Sequence, residues 1–141
     1  FKVGDEVYGD TSTYGFGCFA EYVSVNEKAL AHKPAQMSAE EATAIPHASM
    51  LAYQGLIDIG RMQKGQQILI NGAGGGSGAF AIQLAKRAGA HVTGVDNAGK
   101  LDFMRSLGAD EVIETTLLGF SLLGDGLRDA ADVRLARGER G

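Results

Sequence analysis

Eleven residues, Ile68 to Gly78, constrain this chain more than any other stretch: Ile-Leu-Ile-Asn-Gly-Ala-Gly-Gly-Gly-Ser-Gly. An aliphatic run stops at Asn71, five glycines fall within the next seven positions, and a helical pattern begins directly after them. Strand, glycine loop and helix in that order are what a dinucleotide phosphate site requires. The glycines permit a tight turn and keep Cβ atoms away from the pyrophosphate and from the strand on which the helix packs. The helix start then offers unpaired N–H groups and the positive end of its dipole. Two registers fit: Ala73-x-Gly75-x-x-Gly78 and Gly74-x-Gly76-x-x-Ala79.

Taken alone, the glycines would equally describe a flexible turn; their flanks decide against that. Gln66 to Asn71 reads as a buried strand. Gly76 to Ala88 reads as a helix, with Phe80/Leu84 and Ala81/Ala85/Ala88 at helical spacing. Lys86 and Arg87 suit its last turn and Gly89 its end. His91 to Val95 is a second strand leading into Asp96, which follows Gly75 by 21 residues, close to the interval of about 20 at which a carboxylate meets the adenosine ribose.

A net charge of −4 argues against nucleic acid or an anionic membrane as the main partner, and no apolar run approaches the length of a membrane span. Cys18, the single cysteine, leaves no internal disulfide framework and no multi-cysteine zinc site within these residues. The opening residues, Phe1-Lys2-Val3-Gly4-Asp5, do not resemble a signal peptide, and the start on Phe1 is expected of a segment of a larger protein. Cytoplasm is the expected location.

Before the loop the pattern is different. Val3 to Gly9 reads as a turn entering a short strand, and Phe19 to Val25 alternates as a strand does, which a generic β meander would also explain. Ser38-Ala39-Glu40-Glu41 is a capping box, and Pro46 ends the short helix that it starts. A second helix is expected from Ala48 to Ile59, with Met50, Tyr53, Gln54 and Ile57 on one face. After Asp96, Lys100 to Leu107 is a short helix and Glu111 to Ile113 a third strand. Gln66 to Ile113 is thus β-α-β-α-β, one half of a doubly wound sheet. A further helix is possible at Leu127 to Ala136.

Several motifs fall in the order of one family: Gly4-Asp5-Glu6-Val7-Tyr8-Gly9, Phe19-Ala20-Glu21-Tyr22, Lys33-Pro34, Met37-Ser38-x-Glu40-Glu41-Ala42, Tyr53-Gln54-Gly55-Leu56, Asn71 to Gly78, Val92 to Val95 and Ser106 to Asp110. Over Phe1 to about Thr115 the chain resembles the medium-chain dehydrogenase/reductases, in the zinc-independent branch of the quinone oxidoreductases. The resemblance implies an α/β fold: part of a GroES-like β catalytic domain over 1–45, and the first half of a Rossmann doubly wound parallel sheet over 46–115. The tail, 116–141, matches nothing in the family, as a truncated or frameshifted reading frame would produce.

The resemblance also implies hydride transfer between NAD(P)H and a quinone, an enone or a carbonyl/alcohol pair. It selects the first register of the loop, so Ala73, Gly75, Gly76, Ser77 and Gly78 hold the pyrophosphate. Asp96, Asn97 and Lys100 would meet the adenosine end. There Asp96 argues for NAD, whereas Lys100 and the family argue for NADPH, so NADP and NAD both stay open. Tyr53 falls where such proteins line the nicotinamide pocket; a core aromatic on a helix face is the alternative. His47 stands where zinc-dependent relatives place a ligand, although no metal is expected, and His32 and His91 read as surface residues.

The expected function is therefore that of an oxidoreductase fragment. The rivals are a non-catalytic nucleotide-binding module and an inactive fragment, and this chain by itself is expected to bind adenine nucleotide weakly and to turn over negligibly. Its expected partners are a nicotinamide dinucleotide and a small carbonyl or quinone substrate, with no nucleic acid and no membrane, and the parent protein is expected to be a homodimer.

Overall fold

The computed structural model describes residues 1–15 and 17–116. The chain falls into two compact units, Phe1–Arg61 and the residues from Met62 onward. The helix possible at 127–136, and the tail from residue 117, lie outside the described residues.

In the first unit, β1 (Val7–Gly9) pairs antiparallel with β2 (Leu30–His32), Val7 opposite His32. Gly9 lies against the Ala29 carbonyl so closely that a Cβ there would overlap it. Lys33 continues from β2 and its side chain is only 8% exposed. Its ammonium donates to the Met37 carbonyl at 2.6 Å and pairs with Glu6 at 3.3 Å, so one buried cation ties the strand pair to the following loop. The capping box forms as expected: Ser38 Oγ accepts from the Glu41 N–H, and Glu41 Oε2 accepts from the Ser38 N–H. It starts α1 (Ala39–Thr43), and Pro46 then occupies the first turn of α2 (Pro46–Tyr53).

Three expectations change here. Phe19 to Val25 is not a strand: no described segment forms a ladder with it, and Phe19 and Tyr22 stand in solvent. Alternation specifies a strand only where an apolar face finds something to cover it. The helix expected through Ile59 stops at Tyr53 and continues as a π-helix, Gln54–Ile59, in which the Gly60 N–H reaches back to the Gly55 carbonyl at 3.0 Å. A Cβ on Gly60 would sit 2.6 Å from that carbonyl. Finally, α2 packs on β1, so residues 46–61 sit with the first unit, whereas the sequence assigned them to the nucleotide-binding part.

The second unit is a three-stranded parallel sheet in the order β3 (Gln67–Asn71), β4 (His91–Asp96), β5 (Glu111–Glu114). Ile68 lies opposite Val92, and Gly94 opposite Val112. The crossovers are α3 (Gly76–Arg87) and α4 (Leu101–Ser106), the latter entered through a 3-10 turn at Ala98–Lys100. Parallel strands need such crossovers, which is why period-2 and period-3.6 patterns alternate along this stretch. The core is small: Ile82, Val92, Val95 and Met104 are fully buried, with Ala73, Ala81, Ala85 and Ala90 around them. Gly94, in the central strand, lets Met104 Sδ and Ala73 Cβ approach to where its own Cβ would be, at 3.0 and 3.2 Å.

Charge closes the end of the sheet where β4 and β5 begin. Asp110 accepts from Lys86 Nζ at 2.7 and 2.8 Å and from the Val92 N–H at 2.7 Å, pinning the end of α3 to both strands. His91 and Glu111 extend the cluster outward, Nε2 to Oε1 being 3.4 Å. The Lys86 ammonium, and after it the Val92 N–H, hold the Asp110 carboxyl below its ordinary value of 3.8. A carboxyl depressed by folding adds stability above its unfolded pKa, and that stability is lost as pH falls through the lower folded value. Asp110→Asn should therefore be less stable than the parent at neutral pH in urea denaturation, with the gap closing as pH drops below 3.8. A gap independent of pH would mean that the hydrogen bonds alone, without the charge, explain the loss.

Candidate functional site

At the opposite, C-terminal, end of the strands the chain after Asn71 turns toward β4. The Gly72 and Ala73 N–H groups both donate to the Val95 carbonyl, at 2.8 and 3.1 Å. Gly72 takes φ +74°, a left-handed conformation that favours glycine, and the Gly75 N–H closes the turn on the Gly72 carbonyl at 3.0 Å. Gly75 is extended at the N-cap of α3, and no side chain caps the helix. Its first-turn N–H groups therefore belong to whatever sits at the loop.

Ala73 is completely buried, and Gly75, Gly76, Ser77 and Gly78 run from the loop into the first turn of α3. The glycines differ in what they need. A Cβ on Gly78 would overlap the Gly72 carbonyl and lie 2.6 Å from Ala73 Cα, so helix and turn touch backbone to backbone. A Cβ on Gly75 would meet only the Gly72 carbonyl, at 3.2 Å. This is the cradle that a pyrophosphate requires, and the residues present fit that group.

Two residues outside the expected register belong to the site. Gly72 supplies the left-handed turn, and the Asn-Gly dipeptide closing the strand was its signal in the sequence. Gly74 donates its N–H to Asp96 Oδ2 at 3.0 Å, and a Cβ there would meet Lys100 Cβ and Cδ at 2.7 and 2.6 Å. The glycine run is thus shaped from below by Asp96 and Lys100.

Asp96 is only 11% exposed in its side chain. Oδ1 accepts from the Asn97 N–H and Nδ2, at 2.8 and 3.0 Å, while Oδ2 takes Gly74 and lies 3.6 Å from Lys100 Nζ. The Asn97 backbone bond is the main cause that holds this carboxyl below its ordinary value; burial opposes it, and Gly74 and Lys100 add to it. An anion and a cation therefore stand side by side beside the glycine loop.

The remaining candidates lie in the first unit. Tyr53 ends α2 and is 45% exposed, more open than a core aromatic. His47 places Nδ1 2.8 Å from Asp10 Oδ2. Among the described residues no group of three or more His, Cys, Asp or Glu could hold a metal ion. His32 and His91 are exposed, as expected, His32 against the Phe1 ring.

No family model matches the chain. It is 42% identical, over 88% of its length, to a 2-methylene-furan-3-one reductase of Solanum lycopersicum, of which it covers 34%. It is 40% identical, over 81% of its length, to a chloroplast envelope quinone oxidoreductase homolog of Arabidopsis thaliana, covering 36% of it. Among solved structures, the quinone oxidoreductase from Coxiella burnetii superposes with a TM-score of 0.75 at 32% identity, over 84% of this chain and 39% of that one. The chain spans about a third of the length of the curated relatives it matches. Cytoplasm is overturned as the expected location: relatives include a mitochondrial NAD(P)H oxidoreductase of Mus musculus and a chloroplastic homolog of Spinacia oleracea. Relatives with this fold are thus placed in more than one compartment. No helix among the described residues is long and apolar enough to cross a membrane.

The glycine contacts predict a graded response. Gly78→Ala forces a Cβ into backbone and should destabilise the chain by about 1–3 kcal/mol while removing nucleotide binding. Gly75→Ala should do less of both, because only one carbonyl must shift. Thermal unfolding and nucleotide titration of the two variants check the order; equal effects would mean that the helix does not touch the turn as described.

Proposed function

Because the chain belongs to the medium-chain dehydrogenase/reductase superfamily, in the quinone oxidoreductase-like branch, we propose that it is the nucleotide-binding segment of an NAD(P)H-dependent reductase of quinones or enones. The observation that carries this reading is the backbone contact between Gly78 and the Gly72–Ala73 turn, which leaves an uncapped helix start beside Asp96 and Lys100. Ala73, Gly75, Gly76, Ser77 and Gly78 would hold the pyrophosphate, and Asp96, Asn97 and Lys100 the adenosine ribose. Tyr53 would line the nicotinamide end. When bound, the reduced nicotinamide supplies the hydride, and the protein's share is orientation and charge. The names of the relatives support a quinone or an enone as the acceptor.

Asp96 and Lys100 pull cofactor choice in opposite directions. A carboxylate accepts from both ribose hydroxyls and repels a 2′-phosphate, whereas an ammonium attracts one. Asp96 is already occupied by Gly74 and Asn97, so both cofactors should bind. Asp96→Ser should raise the NADPH-to-NADH affinity ratio, and Lys100→Met should lower it. The chain has no tryptophan, so the fluorescence of the reduced nicotinamide can be titrated against a low background. An unchanged ratio in both variants would remove these residues from the adenosine site. Oxidation of NADPH on addition of a quinone would exclude a non-catalytic nucleotide-binding module.

A further inference from the structure

Four consecutive N–H groups make the turn between β3 and α3, and they are held in two ways. Those of Gly72 and Ala73 donate to the Val95 carbonyl and that of Gly75 to the Gly72 carbonyl, so three of them end on main chain. The N–H of Gly74 ends on a side chain instead, Asp96 Oδ2 at 3.0 Å, 22 residues further on. The N–H groups that follow, at Gly76, Ser77 and Gly78, fill the first turn of α3, where a helix offers them no partner and no side chain caps them. Gly74 is therefore the one joint of the turn that the main chain does not hold.

Asp96 is placed to hold it. Its side chain is 11% exposed, and Oδ1 accepts from the Asn97 N–H and Nδ2, which leaves Oδ2 to Gly74. Held below its ordinary value chiefly by Asn97, the carboxyl is an anion at neutral pH and can only accept. A bare carboxylate would repel the phosphates of a nucleotide; this one is balanced by its three N–H donors and by Lys100 Nζ at 3.6 Å. The Lys100 stem lies against Gly74 as well: a Cβ there would meet Lys100 Cβ at 2.7 Å and Asp96 Oδ2 at 3.2 Å. Glycine has more backbone freedom than any other residue, and these contacts take it away. We propose that Asp96 is a positioning residue for the anion site: by holding the Gly74 N–H it fixes the turn that presents the N–H groups of Gly76, Ser77 and Gly78 to a pyrophosphate. The inference rests on the nucleotide-binding reading above, and it gives Asp96 a task at the phosphates that is separate from any contact with the ribose.

The test uses two ligands that share a diphosphate and differ in the ribose: ADP, and 2′,3′-dideoxyADP, which has no diol for a carboxylate to bind. The full chain, isotopically labelled, is titrated with each by NMR at a temperature where every variant gives the spectrum of a folded protein. Asp96→Ala should weaken dideoxyADP about tenfold, the scale of one hydrogen bond to a charged group, and ADP by at least as much. Asp96→Asn, which keeps an oxygen for Gly74, should recover most of the affinity for dideoxyADP. Without ligand, the Gly74 amide proton of the parent should lie downfield, as an N–H bonded to a carboxylate does. It should move upfield in Asp96→Ala, and the amides of Gly76, Ser77 and Gly78 should move with it. Asp96→Ser, whose side chain is too short to reach Gly74, stands in should the alanine variant fail to fold. A loss confined to ADP, an Asp96→Asn variant no better than Asp96→Ala, or helix-start amides that stay in place would each overturn the proposal. Failure of the parent to bind either nucleotide would count against the glycine loop as a phosphate site, and the amide signals would still decide whether Asp96 sets the loop.

Discussion

The second unit depends on one approach, that of the Gly78 backbone to the carbonyl of Gly72. It sets the angle at which α3 leaves the loop, and so which N–H groups point out of the sheet. It also puts Ala73 underneath, completely buried, where it packs toward Gly94 in the central strand. Gly94 in turn admits Met104, through which α4 reaches the sheet. The small residues in this region are therefore one continuous requirement that begins at the glycine loop and ends at the second helix.

The two ends of the sheet use opposite physical means. Where β4 and β5 begin, Lys86, Asp110, His91 and Glu111 satisfy one another, and α3 is anchored by charge. Where the strands end, Asp96 and Lys100 also pair, but loosely at 3.6 Å, beside a helix start with no cap. Tight pairing fixes geometry, while loose pairing leaves charge for a ligand. Such a division allows a binding end to be polar without weakening the fold, because the closure that holds the unit together lies elsewhere.

The strand–loop–helix order, Asp96 and the third strand were legible because each is written in local pattern: apolar runs of strand length, a helical period and glycine punctuation. Gly72 and Gly74 were visible as glycines, yet their separate reasons were not. One rests on a φ angle and the other on a contact with residues more than twenty positions away. Phe19 to Val25 was misread because alternation is only half of a strand; the other half is a partner, which local pattern cannot supply. The placement of residues 46–61 was hidden for a similar reason, since packing of α2 on β1 is a tertiary choice. His47 drew attention through its position in the family pattern, but its actual partner, Asp10, lies 37 residues away with no spacing rule to join them.

Lys33 carries a consequence of another kind. Its side chain is only 8% exposed and its amine is shared between Met37 and Glu6, whereas the side chains of Lys86 and Lys100 are 32% and 42% exposed. Acylating reagents act on free, unhindered amines, so Lys33 should be the laggard among the lysines for as long as the strand pair and the loop after it stay closed. Once acylated, it could neither pair with Glu6 nor return to its place. Its reactivity is thus a chemical clock for the first unit, running only during the moments when that unit opens.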